Sequence, residues 1–251
     1  LENGKSQHYA NLTTGNYNEA TSLIYCDDSL LTADSRITKE VEHVFEFFEK
    51  NFKVHTYKHL VLSPHSTRKK LVRLIENEIE FAQSGKRAEI FLKMNSLVDE
   101  ELISKLYEAS NAGVKIKIIV RGMCGVIPAI KGLSENIEIV SLVDRLLEHS
   151  RILFFRNGGE QLCYISSADW MGRNMDSRIE VSCPVYDKKL QKELHDILEL
   201  QWQDNVKARI VDATQSNRHK NTDSAIKIRA QEAIYKYLQG KTSRTLLLSF
   251  C

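Results

Sequence analysis

"LTTGNY", residues 12–17, and "ISSADW", residues 165–170, are two copies of one short pattern: an apolar residue, two hydroxyl residues, a small residue, Asn or Asp, and an aromatic. They stand 153 residues apart (165 − 12), and the match continues at that spacing without a gap. Tyr25 falls opposite Arg178, Asp27 opposite Glu180 and Asp34 opposite Asp187, and an amphipathic stretch follows each copy. Hairpin turns reuse Ser, Thr, Asn and Gly for local reasons, so the hexamers alone would carry little. A strand and a helix that stay in step behind both turns mark a duplicated unit of strand, turn, strand and helix.

Outward from the copies, the pattern alternates. Residues 7–14 and 20–31 read as strands around the first turn. Residues 36–50 put Ile37, Val41, Val44, Phe45 and Phe48 on one helical face, with Asp34 or Ser35 as the cap. Residues 51–58 have no period and read as a connector. Further strands are expected at 59–64, 88–94, 114–120, 137–143, 151–155, 162–166 and 178–185. Helices are expected at 66–83, with Leu71, Leu74, Ile75 and Ile79 inward, and at 98–112, 188–202 and 224–239. Gly113 can take the left-handed conformation that ends a helix. Residues 213–224 are polar and loop-like, and the tail after 239 fits no pattern. Strands alternating with helices predict an α/β fold whose largely parallel sheet is covered on both faces.

The bulk numbers set limits. At 251 residues the chain can form one large or two modest domains. Its 42% hydrophobic and 27% charged residues are those of a soluble globular protein. A net charge of +2 is too small to argue for nucleic acid. No apolar run approaches the ~20 residues of a membrane span. The five cysteines, Cys26, Cys124, Cys163, Cys183 and Cys251, are odd in number and form no CxxC pair, which fits a reduced, cytoplasmic compartment. The polar start "LENGKSQHYA" shows no secretory leader. It has no Met and reads as the inside of a structural element, which points to a piece of a longer protein.

Just before the second copy stands "LEHSRILFF". His149 and Arg151 lie two apart at the mouth of a strand and so project to one side. "YISSADW" then returns along the neighbouring strand. Imidazole is a nucleophile near neutral pH and can pass a proton to a leaving oxygen. A guanidinium beside it can hold phosphate oxygens in a fork, so the set suits phosphoryl chemistry. On spacing alone, an exposed strand end explains His-x-Arg equally well. Arg121 ends a strand where open α/β sheets bind ligands, and Gly122 and Gly125 leave its backbone room. No GKS or GKT follows, so this is not a Walker loop. Lys93, Arg145, Arg173 and Arg178 are further cations near these ends, Arg173 reading as a solvated loop residue. His8, His43, His55, His59, His65, His195 and His219 show no metal spacing and read as surface residues. Cys124 and Cys163 read as buried rather than catalytic.

Several stretches together resemble one family. "TTGNYNE", "IYCDDSLLTAD", "KMNSLVD", "LYEASNAGVKIKIIVRGMC", "SLVDRLLEHSRI" and "YISSADWMGRNMDSRIEV" are similar to the C-terminal catalytic half of type-1 polyphosphate kinases, over about residues 8–239. Departures are small: "LTTGN" where the family has "LGTGN", and "IYCD" where it has "LYTD". The resemblance implies a phospholipase D-like fold, a mixed, largely parallel sheet flanked by helices. Residues 1–53 would be the end of a first, truncated unit and residues 54–251 a complete second one. Each unit of the family brings one histidine to a tunnel that holds nucleotide and polyphosphate. At equal spacing the first copy's histidine falls before Leu1, and that is the one the family phosphorylates.

By residue, the resemblance assigns Tyr25, Arg121 and His149 to ATP, with Arg178 near the phosphates and His149 as the catalytic group of this chain. It implies ATP or ADP and polyphosphate as partners, Mg2+ accompanying ATP, and metal-linked arginines upstream, so that this chain carries no metal ligands and is inactive alone. It further implies a homo-oligomeric protein, cytoplasmic or peripheral to the inner membrane, with no nucleic-acid partner and no transmembrane segment. Two alternatives stay open. A phospholipase D-like phosphodiesterase or nuclease would carry His-x-Lys and a following Asp, where this chain has Arg151 and Phe154. A polyanion-binding module would need no catalysis.

Overall fold

The structure is a computed structural model and describes residues 4, 6–50, 55–220 and 225–248, with side chains as far as residue 241. The first copy consists of β1 (Ala10–Thr13), the one-turn helix α1 (Glu19–Ser22), β2 (Tyr25–Cys26), β3 (Ser29–Thr32) and α2 (Ser35–Glu49). Then come β4 (Val61–Leu62), α3 (Thr67–Gln83), β5 (Glu89–Lys93), α4 (Glu100–Asn111), β6 (Lys115–Val120), β7 (Ile137–Ser141), β8 (Leu147–Glu148) and β9 (Arg151–Phe155). The second copy is β10 (Leu162–Ser166), α5 (Gly172–Asp176), β11 (Val181–Pro184) and α6 (Lys188–Trp202), followed by β12 (Arg209–Val211) and α7 (Ala230–Leu248).

The duplication is a structural fact. β1 pairs with β3 antiparallel, setting Leu12 opposite Leu30 and Thr13 opposite Ser29. β10 pairs with β11 antiparallel, setting Ile165 opposite Cys183 and Ser166 opposite Ser182, the same register 153 residues on. The side chains of Asp34 and Asp187 cap α2 and α6, which are each 15 residues long. A side-chain oxygen that accepts a first-turn N–H fixes where a helix begins, so equivalent aspartates start equivalent helices.

Eight strands form the main sheet in the order β12-β7-β6-β5-β9-β10-β11-β4. The sheet is mixed and flanked by helices, as expected. It is not largely parallel: β5, β6 and β7 run parallel, and every other neighbouring pair is antiparallel. The β9–β10 connection is too short for a crossover and can make only a hairpin. Side chains alternate between the faces, as the pleat requires. Ile90 and Leu92 join Leu71, Leu74, Leu102 and Leu106 of α3 and α4. Phe91 joins Ile37, Val44, Leu198 and Trp202 of α2 and α6 on the other face, with Ala230 of α7.

Some expectations fail locally. Phe45 and Phe48 are 64% and 60% exposed, so the apolar face of α2 is only partly covered. Residues 20–22, expected as strand, fall in α1, started by the Asn18 side chain. β8 and β12 were not expected; strands of two or three residues are too short to show a period. Helix α7 runs on past residue 239 to Leu248. Parts of the expected connector (51–54) and loop (221–224), and Cys251, lie outside the described residues.

The first copy is tied to the second half by Glu40 of α2. Its buried carboxylate accepts the backbone N–H groups of Lys58, His59 and Leu60 at 2.7 to 3.2 Å. Glu40→Ala leaves these donors without their acceptor, and about 3 kcal/mol of unfolding free energy should be lost. Denaturant titration of wild type and variant checks this, and a loss below 1 kcal/mol would show that water replaces the carboxylate.

Candidate active site

The C-terminal ends of β5 and β6, the start of β9 and the end of β10 meet at one end of the sheet. The first copy lies against this end through β2, which pairs parallel with β8: Tyr25 opposite Leu147 and Cys26 opposite Glu148. Two backbone bonds continue the join, from His149 N and Ser150 N to Cys26 O. His149 therefore lies between the copies. Its Nδ1 is 2.8 Å from Asp27 Oδ1, and its ring centroid is 4.8 Å from that of Tyr25. The carboxylate assigns the Nδ1–H tautomer, which leaves the lone pair on Nε2.

Asp27 is held from two further sides. Thr14 Oγ1 donates to the same oxygen at 2.8 Å. Gly15 packs so closely that a Cβ there would stand 2.1 Å from Asp27 Oδ2. Glycine is needed here for close approach. The second copy repeats the arrangement: Ser167 Oγ donates to Glu180, and Val181 N–H donates to Ser167 Oγ as Asp28 N–H does to Thr14 Oγ1. Burial alone would raise the Asp27 carboxyl, but the bonds from His149 and Thr14 and the charge of Arg151 take it below its ordinary value. A depressed carboxyl contributes stability above its unfolded pKa of about 4 and loses it as pH falls through the folded value.

Arg151 is not the free phosphate fork that its spacing suggested. Its Nη2 and Nε face Asp169 at 2.9 and 3.4 Å, and its Nη1 donates to Thr14 O and His149 O. Nη1 is also 3.3 and 3.2 Å from the two ring nitrogens of His149. A donor along one lone pair would be far from the other nitrogen, so the guanidinium lies against the ring. Burial would raise the Asp169 carboxyl, but Arg151 and the N–H groups of Asn95 and Ser96 bring it below its ordinary value.

Arg121 is better placed for a ligand. Its Nε is shared between Asn95 Oδ1 and Glu148 O at 2.7 and 2.5 Å, while its terminal amino groups bond no described residue. Gly122 and Gly125 serve packing rather than ligand room: a Cβ would meet Asn95 O at 2.9 Å in one case and Ile103 Cδ1 at 2.9 Å in the other. Lys93 does not face solvent. It is 3% exposed and donates to Glu148 at 2.6 Å. Arg178 is not joined to His149 by any described hydrogen bond; its side chain is 56% exposed, with Nη1 3.9 Å from Glu180 Oε1. Arg145 and Arg173 are exposed.

Tyr25, Arg121 and His149 are thus brought together, and Arg178 is not. Sequence reading missed Asp27, Asn95 and Glu148 as parts of the site. For Asp27 a signal existed, because the repeat set it opposite another carboxylate, Glu180. Of the histidines expected at the surface, His43 and His55 stack instead, with centroids 4.2 Å apart. Burial raises the thiol of Cys124, and that of Cys163 more strongly, in keeping with inert thiols. A cleft of about 380 Å³ lined by Arg87, Lys117 and His195 opens at the opposite ends of β5 and β6 and lies apart from this chemistry.

Comparison with known proteins shows the family of the chain. Residues 60–231 match the family described as polyphosphate kinase C-terminal domain 2, and residues 1–54 match polyphosphate kinase C-terminal domain 1. A polyphosphate kinase of Yersinia pestis is 51% identical over 240 residues, which are 96% of this chain and 35% of that protein. The polyphosphate kinase of Escherichia coli K12 is 47% identical over 95% of this chain and 35% of its own length. A crystal structure of polyphosphate kinase from Porphyromonas gingivalis superposes with a TM-score of 0.91 at 44% identity, covering 95% of this chain and 37% of that one. The chain spans about a third of the length of these relatives, and it belongs to the polyphosphate kinase family.

Proposed function

We propose that the intact protein reversibly transfers the γ-phosphate of ATP to inorganic polyphosphate through a phosphohistidine, and that the phosphorylated histidine precedes Leu1. One observation carries this reading: in a chain of this family, His149, just ahead of the second copy, is held by Asp27 of the first, beside Tyr25 and the free end of Arg121. At the repeat spacing, Glu180 is the residue set to hold the first copy's histidine. The matches over 1–54 and 60–231 support a boundary that puts residues 1–53 in a first unit and 54–251 in a second.

The chemistry follows from these groups. The first copy's imidazole attacks the γ-phosphorus in line; a P–N bond forms, the bond to the β-phosphate oxygen breaks, and ADP leaves. Arg121, joined by Arg178 when nucleotide draws it in, offsets charge on the non-bridging oxygens. His149, with its lone pair on Nε2, handles a proton or positions oxygen at the other side of the phosphorus. The end of a polyphosphate chain then attacks the same phosphorus and frees the histidine. The reverse sequence makes ATP from ADP. Among the described residues, no group of three or more His, Cys, Asp or Glu could hold a metal ion. Magnesium enters this reading as part of the nucleotide substrate. The reading includes a homo-oligomer in the cytoplasm or at the inner-membrane surface. No described helix is long and apolar enough to cross a membrane.

Three outcomes are expected. The intact protein should turn ATP into acid-insoluble polymer, while this chain alone, given γ-labelled ATP, should neither label nor make polymer. Label on His149 of the isolated chain at the intact protein's rate would place the nucleophile here instead.

In the intact protein, His149→Gln keeps size and hydrogen bonding but cannot move a proton. Synthesis at saturating ATP should fall by roughly 10²–10⁴-fold with the melting temperature little changed. Wild-type synthesis by the folded variant would remove His149 from the mechanism.

Gly15→Ala should push Asp27 away from His149. A turnover loss of about tenfold or more is expected, with Gly172→Ala, where a Cβ finds its nearest neighbour at 3.7 Å, as the neutral control.

A further inference from the structure

The loop that delivers His149 is fastened from behind by the start of α7, and we propose that Gln231 is a positioning residue for the reaction at His149. The inference rests on the phosphotransfer reading above. Its basis is a chain of contacts that begins far from the site. Asp204, fully buried, uses one oxygen to accept Val206, Lys207 and Ala208 N–H and the other to accept Ala230 N–H at 2.6 Å. Asn205 and Ile228 bond each other in both directions, at 3.0 and 2.9 Å. The first turn of α7 is thereby locked to the end of α6.

From that fixed turn two side chains reach the β7–β8 loop. Arg229 grips Asp144 with Nε at 2.9 Å and Nη2 at 2.6 Å. Gln231 does more. Its Oε1 accepts Leu146 N–H at 3.0 Å, and its Nε2 donates to Leu146 O at 2.9 Å and to Glu148 Oε1 at 2.8 Å. One amide thus pairs with both backbone groups of Leu146, as a neighbouring strand would, and spends its second hydrogen on Glu148. An amide has two donor hydrogens, so its donor capacity is used up.

Glu148 is where these contacts acquire a bearing on chemistry. It is 4% exposed, and its other oxygen accepts Lys93 of β5 at 2.6 Å and Gln201 of α6 at 2.7 Å. Its backbone oxygen accepts Arg121, and the next residue is His149. Asp27, the partner of His149, joins this loop through β2, and it has two further anchors of its own, Thr14 and the contact with Gly15. If residues 146–148 shift, the pull reaches Asp27 only through the β2–β8 join and against the hold of Thr14 and Gly15, so His149 moves relative to it. Arg121 keeps its second anchor, Asn95. Loss of Gln231 should therefore act on turnover more than on nucleotide affinity.

The test uses the intact protein. Gln231→Met fills the same space without hydrogen bonds. Its kcat for polymer synthesis should fall between about tenfold and a hundredfold, its KM for ATP should change by less than about threefold, and its melting temperature should stay within about 4 °C of wild type. Gln231→Glu keeps the acceptor for Leu146 N–H but sets a second carboxylate against Glu148, and at pH 8 its kcat should lie below that of the Met variant. A Met variant with kcat within about twofold of wild type, a KM change as large as the kcat change, or activity lost in step with folded protein would each overturn the positioning role. Wild-type protein that makes no polymer would overturn the phosphotransfer reading and this inference with it. Wild type that makes polymer beside an unaffected Met variant overturns this inference alone.

Discussion

The bond between His149 and Asp27 is the interaction on which the rest of the site depends. The residues are 122 apart in sequence, Asp27 in the first copy of the duplicated unit and His149 just ahead of the second. The bond fixes the imidazole tautomer, so Nε2 is the nitrogen with a lone pair to offer. It also makes demands on its surroundings. Gly15 must be glycine for Asp27 to fit, β2 must pair with β8 to bring the copies together, and Arg151 must lie against the ring without occupying its lone pair.

Two ion pairs lie beneath this bond, Lys93 with Glu148 and Arg151 with Asp169, all four side chains at least nine-tenths buried. Such pairs are poor sources of net stability, because desolvating two charges cancels much of their attraction. Removing one partner is another matter and costs about 3–5 kcal/mol. These pairs therefore act less as glue than as constraints on geometry. Each cation has one low-energy position, and the backbone of residues 148–151 is set by it. Cations that looked free in the sequence are consumed in building the floor of the site, which leaves the terminal amino groups of Arg121 without a hydrogen bond to any described residue.

Much of this was legible in the sequence where local rules suffice. Asp34 and Asp187 announce helix starts because a cap acts within one turn, and the repeat at 153 residues set Asp27 opposite Glu180 before any fold was in view. The strands at 88–94 and 114–120 stood out because both faces of a central strand are buried. What sequence did not disclose is non-local. Nothing near Lys93 tells that Glu148 will neutralise it, nor near Arg151 that Asp169 will claim its fork. The preference for parallel strands came from the alternation of strand and helix, and the short β9–β10 connection overrides it. Phe45 and Phe48 of α2 followed the helical period faithfully, yet a period says which side a residue is on and not whether anything covers that side.

The two copies are alike in backbone but not in what they present. At equivalent positions one carries Tyr25 and the other Arg178, an aromatic ring against a cation, and one carries Asp27 where the other has the longer Glu180. A frame built by doubling would by itself be indifferent to which way round an elongated molecule entered it. These substitutions remove that equivalence, since one copy carries an aromatic ring where the other carries a cation. Duplication supplied the symmetry, and a handful of side chains broke it, so that equivalent positions of one scaffold differ in charge and shape.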